Sequence, residues 1–322
     1  MCTTIQSIDE LRLEIQRRCN EIGDVAAILY RGQSANWPLH PSAVRPFINN
    51  ELWERDFDVF VQPYRTIHQA ITYRHMVASF EDVLSERYPQ YMQYVDYSSE
   101  GDYESMGFVV QCLCQQYARS AMFLDATSNL NVALFFGSRR LYNTNASVDG
   151  RLICRADRAT TDWVYLSIFF VRESNIVRFT PQPAEYMTRM NYIRHNRGNA
   201  AYYFAIDMTR MSDAQRVVNQ SSWFLGQLPE NEYEHRVDSC IFDNVFCRSI
   251  FRMPIECVER YLHTQSVPIR ISLFPDDDRI LHWAERCRLE RLQSLQENRL
   301  GRNDLGISIV RYFPELDDLY IR

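Results

Sequence analysis

The chain contains no lysine. All 35 of its basic residues are arginine, set against 41 Asp and Glu, in 322 residues with a formal net charge of −6. Lysine is ordinarily one of the commonest residues. Its absence removes every mechanism that needs an ε-amine: no Schiff base, no phosphate-loop lysine, no kinase-type lysine. It also leaves the N-terminus as the amine open to acylation or ubiquitin-like conjugation. Two accounts fit the gap. One is genomic bias toward Arg codons. The other is selection against lysine chemistry, from which a toxin or effector exposed to conjugating enzymes would gain.

Other absences narrow the class further. No apolar run approaches the roughly 20 residues that span a bilayer. Residues 1–18 lack the basic, apolar and small-residue regions of a signal peptide. The nine Cys include no CxxC pair, and no His stands at zinc-ligand spacing from them. Scattered thiols of odd number fit a reduced cytoplasmic chain without a metal site. There is no internal repeat, and no Gly/Ser-rich linker divides the chain. The negative net charge excludes an overall electrostatic pull toward nucleic acid.

What is present is enough apolar material, 46% of residues, for a sizeable core. Residues 1–24 read as an N-terminal helix. Ser7-Ile8-Asp9-Glu10 fits a capping box, and Ile8, Leu11 and Ile15 form one stripe. Val25–Tyr30 reads as a buried strand. Residues 51–117 read as a helical insertion, closing on a helix from Met106 to Tyr117 with Val109, Cys112, Leu113 and Tyr117 on one face. A strand at Ala121–Leu124 leads to a helix at Asn129–Leu141. Further strands are expected at Arg151–Cys154, Val164–Val171, Ala201–Ile206 and Ser222–Leu225. Residues 281–322 read as a C-terminal helix and tail, the helix beginning near residue 279.

Three segments hold residue types that bind anions or move charge. The first is Tyr30-Arg31-Gly32-Gln33, followed by Pro41-Ser42 and Arg45. An Arg at a strand end can fork two donors onto a phosphate, and the Gly lets a ligand or a backbone come close. The structural alternative is a turn whose Arg pairs with a carboxylate. The second is Leu124-Asp125-Ala126-Thr127 ahead of Asn131–Phe136. Thr127, Ser128 or Asn129 would cap the following helix, whose N-terminus is a ready anion site; capping and ligand binding need the same geometry. The third is Arg216 to Phe224, where Gln220 or Ser221 would stand at a cleft rim or simply enter a strand.

Taken together, these pieces resemble the FRG domain, a bacterial family named for its (F/Y)RG motif. The resemblance runs from about Ile28 to Ile280, in order and spacing, and closes on Leu273-Phe274-Pro275-Asp276. The chain departs from the family at Gln116, where the family carries His, and at Ala118, Ala121, Met122 and Ala126. The family pattern is in turn similar to that of ADP-ribosyltransferases, with Arg31, Thr127 and Gln220 in the three signature positions. The resemblance implies an α+β fold, with a split, mostly antiparallel sheet of the ADP-ribosyltransferase kind flanked by helices. The FRG-like domain would cover residues 25–280. It implies NAD as substrate, held by Tyr30, Arg31, Gly32, Gln33, Ser42 and Arg45. Gln220, Thr127 and Asp125 would be the catalytic set, with Asp125 the carboxylate. The implied activity is ADP-ribosyl transfer or NAD hydrolysis by a cytoplasmic toxin or defence effector, acting on a protein or nucleic acid and not on a membrane. The altered positions imply two alternatives: a non-catalytic nucleotide- or protein-binding module, or another nucleotide-directed enzyme on the same fold.

Overall fold

The computed structural model describes residues 2–36, 39, 85, 89–94, 109, 112–113, 116, 123–148, 151–159, 161–196, 202–228 and 247–265. Most of the expected helical insertion 51–117, the C-terminal helix and tail, Ser42 and Arg45, Ala118, Ala121 and Met122, and the closing Leu273–Asp276 lie outside the described residues.

The first helix, α1 (Ile8–Ile22), starts where the capping box places it. The Ser7 side chain accepts the Glu10 N–H at 3.1 Å. The Glu10 carboxylate reaches back to the Gln6 N–H at 2.7 Å, one residue before the cap. Ile8, Leu11 and Ile15 are buried as one stripe. Gly23 ends the helix at φ 63°, a conformation that side chains with a Cβ rarely adopt. The expected helix over residues 1–24 is corrected at its start. Cys2–Thr4 forms a strand, β1, because parallel pairing with a distant segment takes those residues before the helix can propagate backward past Ser7.

Ten strands follow from the described chain: β1, β2 (Ala27–Gln33), β3 (Leu124–Thr127), β4 (Arg139–Val148), β5 (Arg151–Arg158), β6 (Trp163–Val171), β7 (Ile176–Arg178), β8 (Tyr202–Asp207), β9 (Ser222–Leu228) and β10 (Ser249–Pro254). Eight make one sheet in the order β1-β10-β6-β2-β3-β9-β8-β7. Only the outer pairs, β1 with β10 and β7 with β8, run parallel. The β4–β5 hairpin forms a separate two-stranded ribbon. Helices α2 (Leu130–Ser138), α3 (Pro183–Asn196), α4 (Gln215–Asn219) and α5 (Ile255–Thr264) accompany the strands, with 3-10 turns at Pro89–Tyr94 and Glu173–Asn175. This is a mixed helix-and-strand fold on a mostly antiparallel sheet.

The sheet separates two apolar layers. On one face, α1, α2 and α5 pack Leu11, Ile15, Val132, Leu134, Val258 and Leu262 onto Leu166, Ile168, Phe170 and Phe251. On the other, Leu29, Leu124, Phe169, Val171, Ala205, Trp223 and Leu225 form a second cluster that includes Leu39. Strand β6 is buried along almost its whole length, which suits a central strand covered on both faces and explains its run of Val, Leu, Ile and Phe. Val109, Cys112 and Leu113 are helical and buried, the face expected for that helix.

Strand boundaries moved at two places that matter. β2 runs on through Arg31-Gly32-Gln33, so the motif is inside a strand and not at its exit. β3 begins at Leu124, so Asp125-Ala126-Thr127 is the strand and not the loop after it. In both, cross-strand partners extended the pairing past the apolar run that local patterning marks. The helix expected at Asn129–Leu141 likewise stops at Ser138, because Arg139 onward is drawn into the ribbon.

Candidate functional site

Strand β2 has two unlike edges. Along one it pairs with β6 from Ala27↔Val171 to Gln33↔Tyr165. Along the other it meets β3 at the single pair Tyr30↔Thr127. Beyond that pair the sheet opens, and side chains take over from the ladder. Arg31 Nη1 donates to the Asp125 carbonyl at 2.6 Å and stands 3.9 Å from its carboxylate. The Arg31 side chain is 15% exposed and that of Asp125 55%. Arg31 therefore bridges the opening between β2 and β3, which corrects the reading of a guanidinium at a strand end.

Gly32 serves a backbone approach. A Cβ built there would lie 1.7 Å from the Ala133 carbonyl oxygen of α2 and 2.8 Å from the backbone nitrogen of Gly137 on the same helix. The helix crosses the strand at this pair of glycines. Gly32 is thus covered by α2, so it does not offer the open backbone expected for a ligand.

The second and third segments meet directly. The Thr127 hydroxyl donates to the Gln220 carbonyl at 2.7 Å and accepts the Asn129 N–H at 3.0 Å. Gln220 ends α4 and is buried, and its side-chain oxygen accepts from Gln116 Nε2 at 2.8 Å. Thr127 and Gln220 come together, as the three-segment reading requires, and Arg31 bonds the residue two places before Thr127. All three side chains are engaged in internal bonds. Ser221 next to Gln220 takes a left-handed φ of 47°, at the tight turn into β9.

From Thr127 a chain of bonds runs outward. Asn129 caps α2 and accepts the Asn131 N–H at 3.0 Å. Asn131 Oδ1 accepts from the Tyr261 hydroxyl at 2.9 Å, and that hydroxyl accepts from Arg12 at 3.3 Å. The chain ends at a groove of about 660 Å³. Its walls are α1 with Arg12 and Gln16, the start of α2 with Ser128, Asn129 and Asn131, the end of α5 with Tyr261, Tyr30 from the sheet, and Ser221 from the turn before β9. Burial pushes the Tyr30 phenol above its ordinary value, so it stays a neutral donor at physiological pH.

Of the predicted site residues, Tyr30 lines this groove. Arg31, Gly32, Gln33, Asp125, Thr127 and Gln220 do not. Arg12 and Tyr261 were missed. They stand on ordinary amphipathic helices, where an exposed Arg or a half-buried Tyr carries no local mark of a site. Their meeting across 249 positions is a product of packing alone. Among the described residues no group of three or more His, Cys, Asp or Glu could hold a metal, Cys2, Cys19, Cys112, Cys247 and Cys257 are free thiols, and no helix is long and apolar enough to cross a membrane. Comparison of the chain with protein-family models, with curated proteins and with solved structures finds no match in any of the three.

Proposed function

We propose that the chain binds a pyrophosphate-bearing nucleotide, NAD first among them, in the groove ahead of α2. One observation carries this reading. The three anion-type segments, far apart in sequence, contribute Tyr30, Ser128–Asn131 and Ser221 to the walls of the same groove. The start of α2 offers backbone donors and the positive end of a helix dipole to a phosphate. Arg12 adds a cation that can fork onto two phosphate oxygens. Tyr30 and Tyr261 present rings on which a base or nicotinamide can stack.

The resemblance to FRG domains and ADP-ribosyltransferases supports ADP-ribosyl transfer or NAD hydrolysis as the reaction, in a cytoplasmic toxin or defence effector. Breaking the bond to nicotinamide leaves an oxocarbenium-like centre that asks for nearby negative charge. Asp125 and Gln220, the carboxylate and the amide that the resemblance names, stand outside the groove walls, and Gln220 is held by Gln116, so the reaction rests on the resemblance and not on the groove.

A second reading is a non-catalytic nucleotide- or protein-binding module. The Gln116–Gln220 bond favours it, because two buried amides satisfy each other where the family pattern has His at position 116. A melting series with NAD, ADP-ribose and ATP, joined to an assay for released nicotinamide, separates the readings. At a hundred times its dissociation constant a true ligand stabilises the fold by about 2.7 kcal/mol. Stabilisation with nicotinamide release supports the enzyme, and stabilisation without release supports the module. If none of the three ligands shifts the melting point, nucleotide binding is wrong.

A further inference from the structure

We propose that the sheet face formed by β1, β10 and the first half of β6, on the side away from α1, α2 and α5, is a stacking surface for single-stranded nucleic acid. The proposal is independent of the nucleotide groove, which lies among those helices on the opposite face.

Strand alternation and register fix which residues share this face. Along β6, Trp163, Tyr165, Ser167, Phe169 and Val171 stand on one side. Phe169 and Val171 belong to the apolar cluster around Leu29. Toward Trp163 that apolar layer gives way: Trp163 and Tyr165 are partly exposed, while Val164 and Leu166, on the helix side, are fully buried. The neighbouring strand repeats the pattern. Ile250 and Arg252 of β10 are partly exposed, while Phe251 and Met253 are buried. Arg252 stands opposite Tyr165 on one side and opposite Thr4 of β1 on the other.

Arg252 is held in place by neutral partners. Its Nε donates to the Thr4 hydroxyl at 2.9 Å, and its guanidinium lies over the Trp163 ring, 4.7 Å from the centre. Among the described residues it meets no carboxylate, so its charge is positioned and not cancelled. A second guanidinium reaches the same face, where Arg248 donates to the Ser167 hydroxyl through Nε at 3.2 Å and Nη2 at 3.0 Å. Burial raises the Cys2 thiol above its ordinary value, and Arg252 and Arg248 both pull against that rise, so the two charges converge on β1. This local field is positive although the chain carries −6.

Such a face fits an unpaired strand better than any other polyanion. Unpaired bases stack on aromatic rings and on guanidinium planes, and Arg forks onto phosphate oxygens. Trp163 and Tyr165, two residues apart on one strand, are separated by about 6.8 Å at their Cα atoms, so successive bases can use both. A duplex keeps its bases in its own stack, and a broad sheet cannot enter a major groove about 12 Å wide. An acidic peptide would use the arginines and leave the rings idle.

Fluorescence anisotropy of a labelled ten-nucleotide oligothymidylate across about 50 to 200 mM salt tests this. The wild-type chain should bind, with an affinity that falls as salt rises. Arg252→Gln should weaken binding and make the log–log salt slope shallower by about 0.7, the value for one phosphate of a single strand. Trp163→Leu should weaken binding at least about fivefold, and Trp163→Phe should keep most of the affinity. Arg12→Gln, in the groove, should leave oligonucleotide binding unchanged. On the wild-type chain, a photo-cross-link from an iododeoxyuridine-substituted oligonucleotide should map to Trp163 or Tyr165 by mass spectrometry, a readout that does not depend on any variant folding. No binding at the lowest salt, a Trp163→Leu variant as tight as wild type, a Trp163→Phe variant no better than Trp163→Leu, cross-links that fall elsewhere, loss of binding in Arg12→Gln, or equal binding of a duplex or an acidic peptide would each overturn the proposal.

Discussion

The two edges of β2 treat the same strand in opposite ways. Toward β6 the backbone does the joining, residue by residue, and the side chains are free to be apolar. Toward β3 the ladder stops at one pair, and Arg31 reaches across to the Asp125 carbonyl, while Thr127 ties the end of β3 to the Gln220 carbonyl before β9 and to the Asn129 N–H. The comparison shows why polar, motif-like residues collect at this place. Where two strands diverge inside a buried sheet, their carbonyls and N–H groups still need partners, and each one left bare costs about 1–3 kcal/mol. Side chains that reach across a split look in sequence like side chains that reach for a ligand.

The largest effect should come from the closed side. Gly32→Ala drives a methyl into the Ala133 carbonyl, a backbone atom that no rotamer change can move. It should cost at least about 3 kcal/mol in a urea titration, the upper range for overpacking. A cost below about 1 kcal/mol would mean that α2 does not cross β2 at this glycine.

On the open edge, Arg31→Ala should cost about 1.5–3 kcal/mol without any ligand present, because it removes a charged bond to a backbone carbonyl. Arg31→Lys should recover little, since one ammonium cannot copy a planar fork. An unchanged melting point with lost nucleotide response would reverse the assignment and make Arg31 a ligand clamp. Thr127→Val comes next, at about 1–2 kcal/mol, because it keeps the shape but strands the Gln220 carbonyl and the Asn129 N–H. Hydrogen exchange at Asn129 should quicken in that variant and not in Thr127→Ser.

The smallest effect serves as a control far from both edges. On β7, Arg178 Nη2 bonds Glu173 at 2.8 Å and holds its carboxyl below the ordinary 4.5. A depressed folded value contributes stability above the unfolded value, and that contribution disappears as pH falls through the folded one. Glu173→Gln should therefore differ from the wild type at neutral pH and converge with it in acid below 4.5. The pair is largely exposed, so the difference should stay under about 1 kcal/mol. A larger one would mean that the sheet's outer edge matters more than its split.

Much of the scaffold was legible. The Ser7 cap and the Ile8, Leu11, Ile15 stripe depend on residues within a few positions of one another, and they are found as expected. The apolar run of β6 marks a strand covered on both sides, whatever covers it. The site was legible only as three suspicious segments. Their contact at Thr127 and Gln220 joins residues 93 positions apart, and their groove depends on Arg12 and Tyr261, which no local pattern singles out.

The sequence by itself marked the Ser7 cap and the buried Ile8, Leu11, Ile15 stripe of α1 and the apolar run of β6, and it shows that no lysine chemistry is available. Only the tertiary structure decided that Arg31 and Gly32 lie inside a strand, one bridging a split in the sheet and the other passing beneath a helix. The physical reason is that hydrophobic period and capping are local properties. Register, strand divergence and the identity of a polar group's partner are set by chain segments about a hundred residues away.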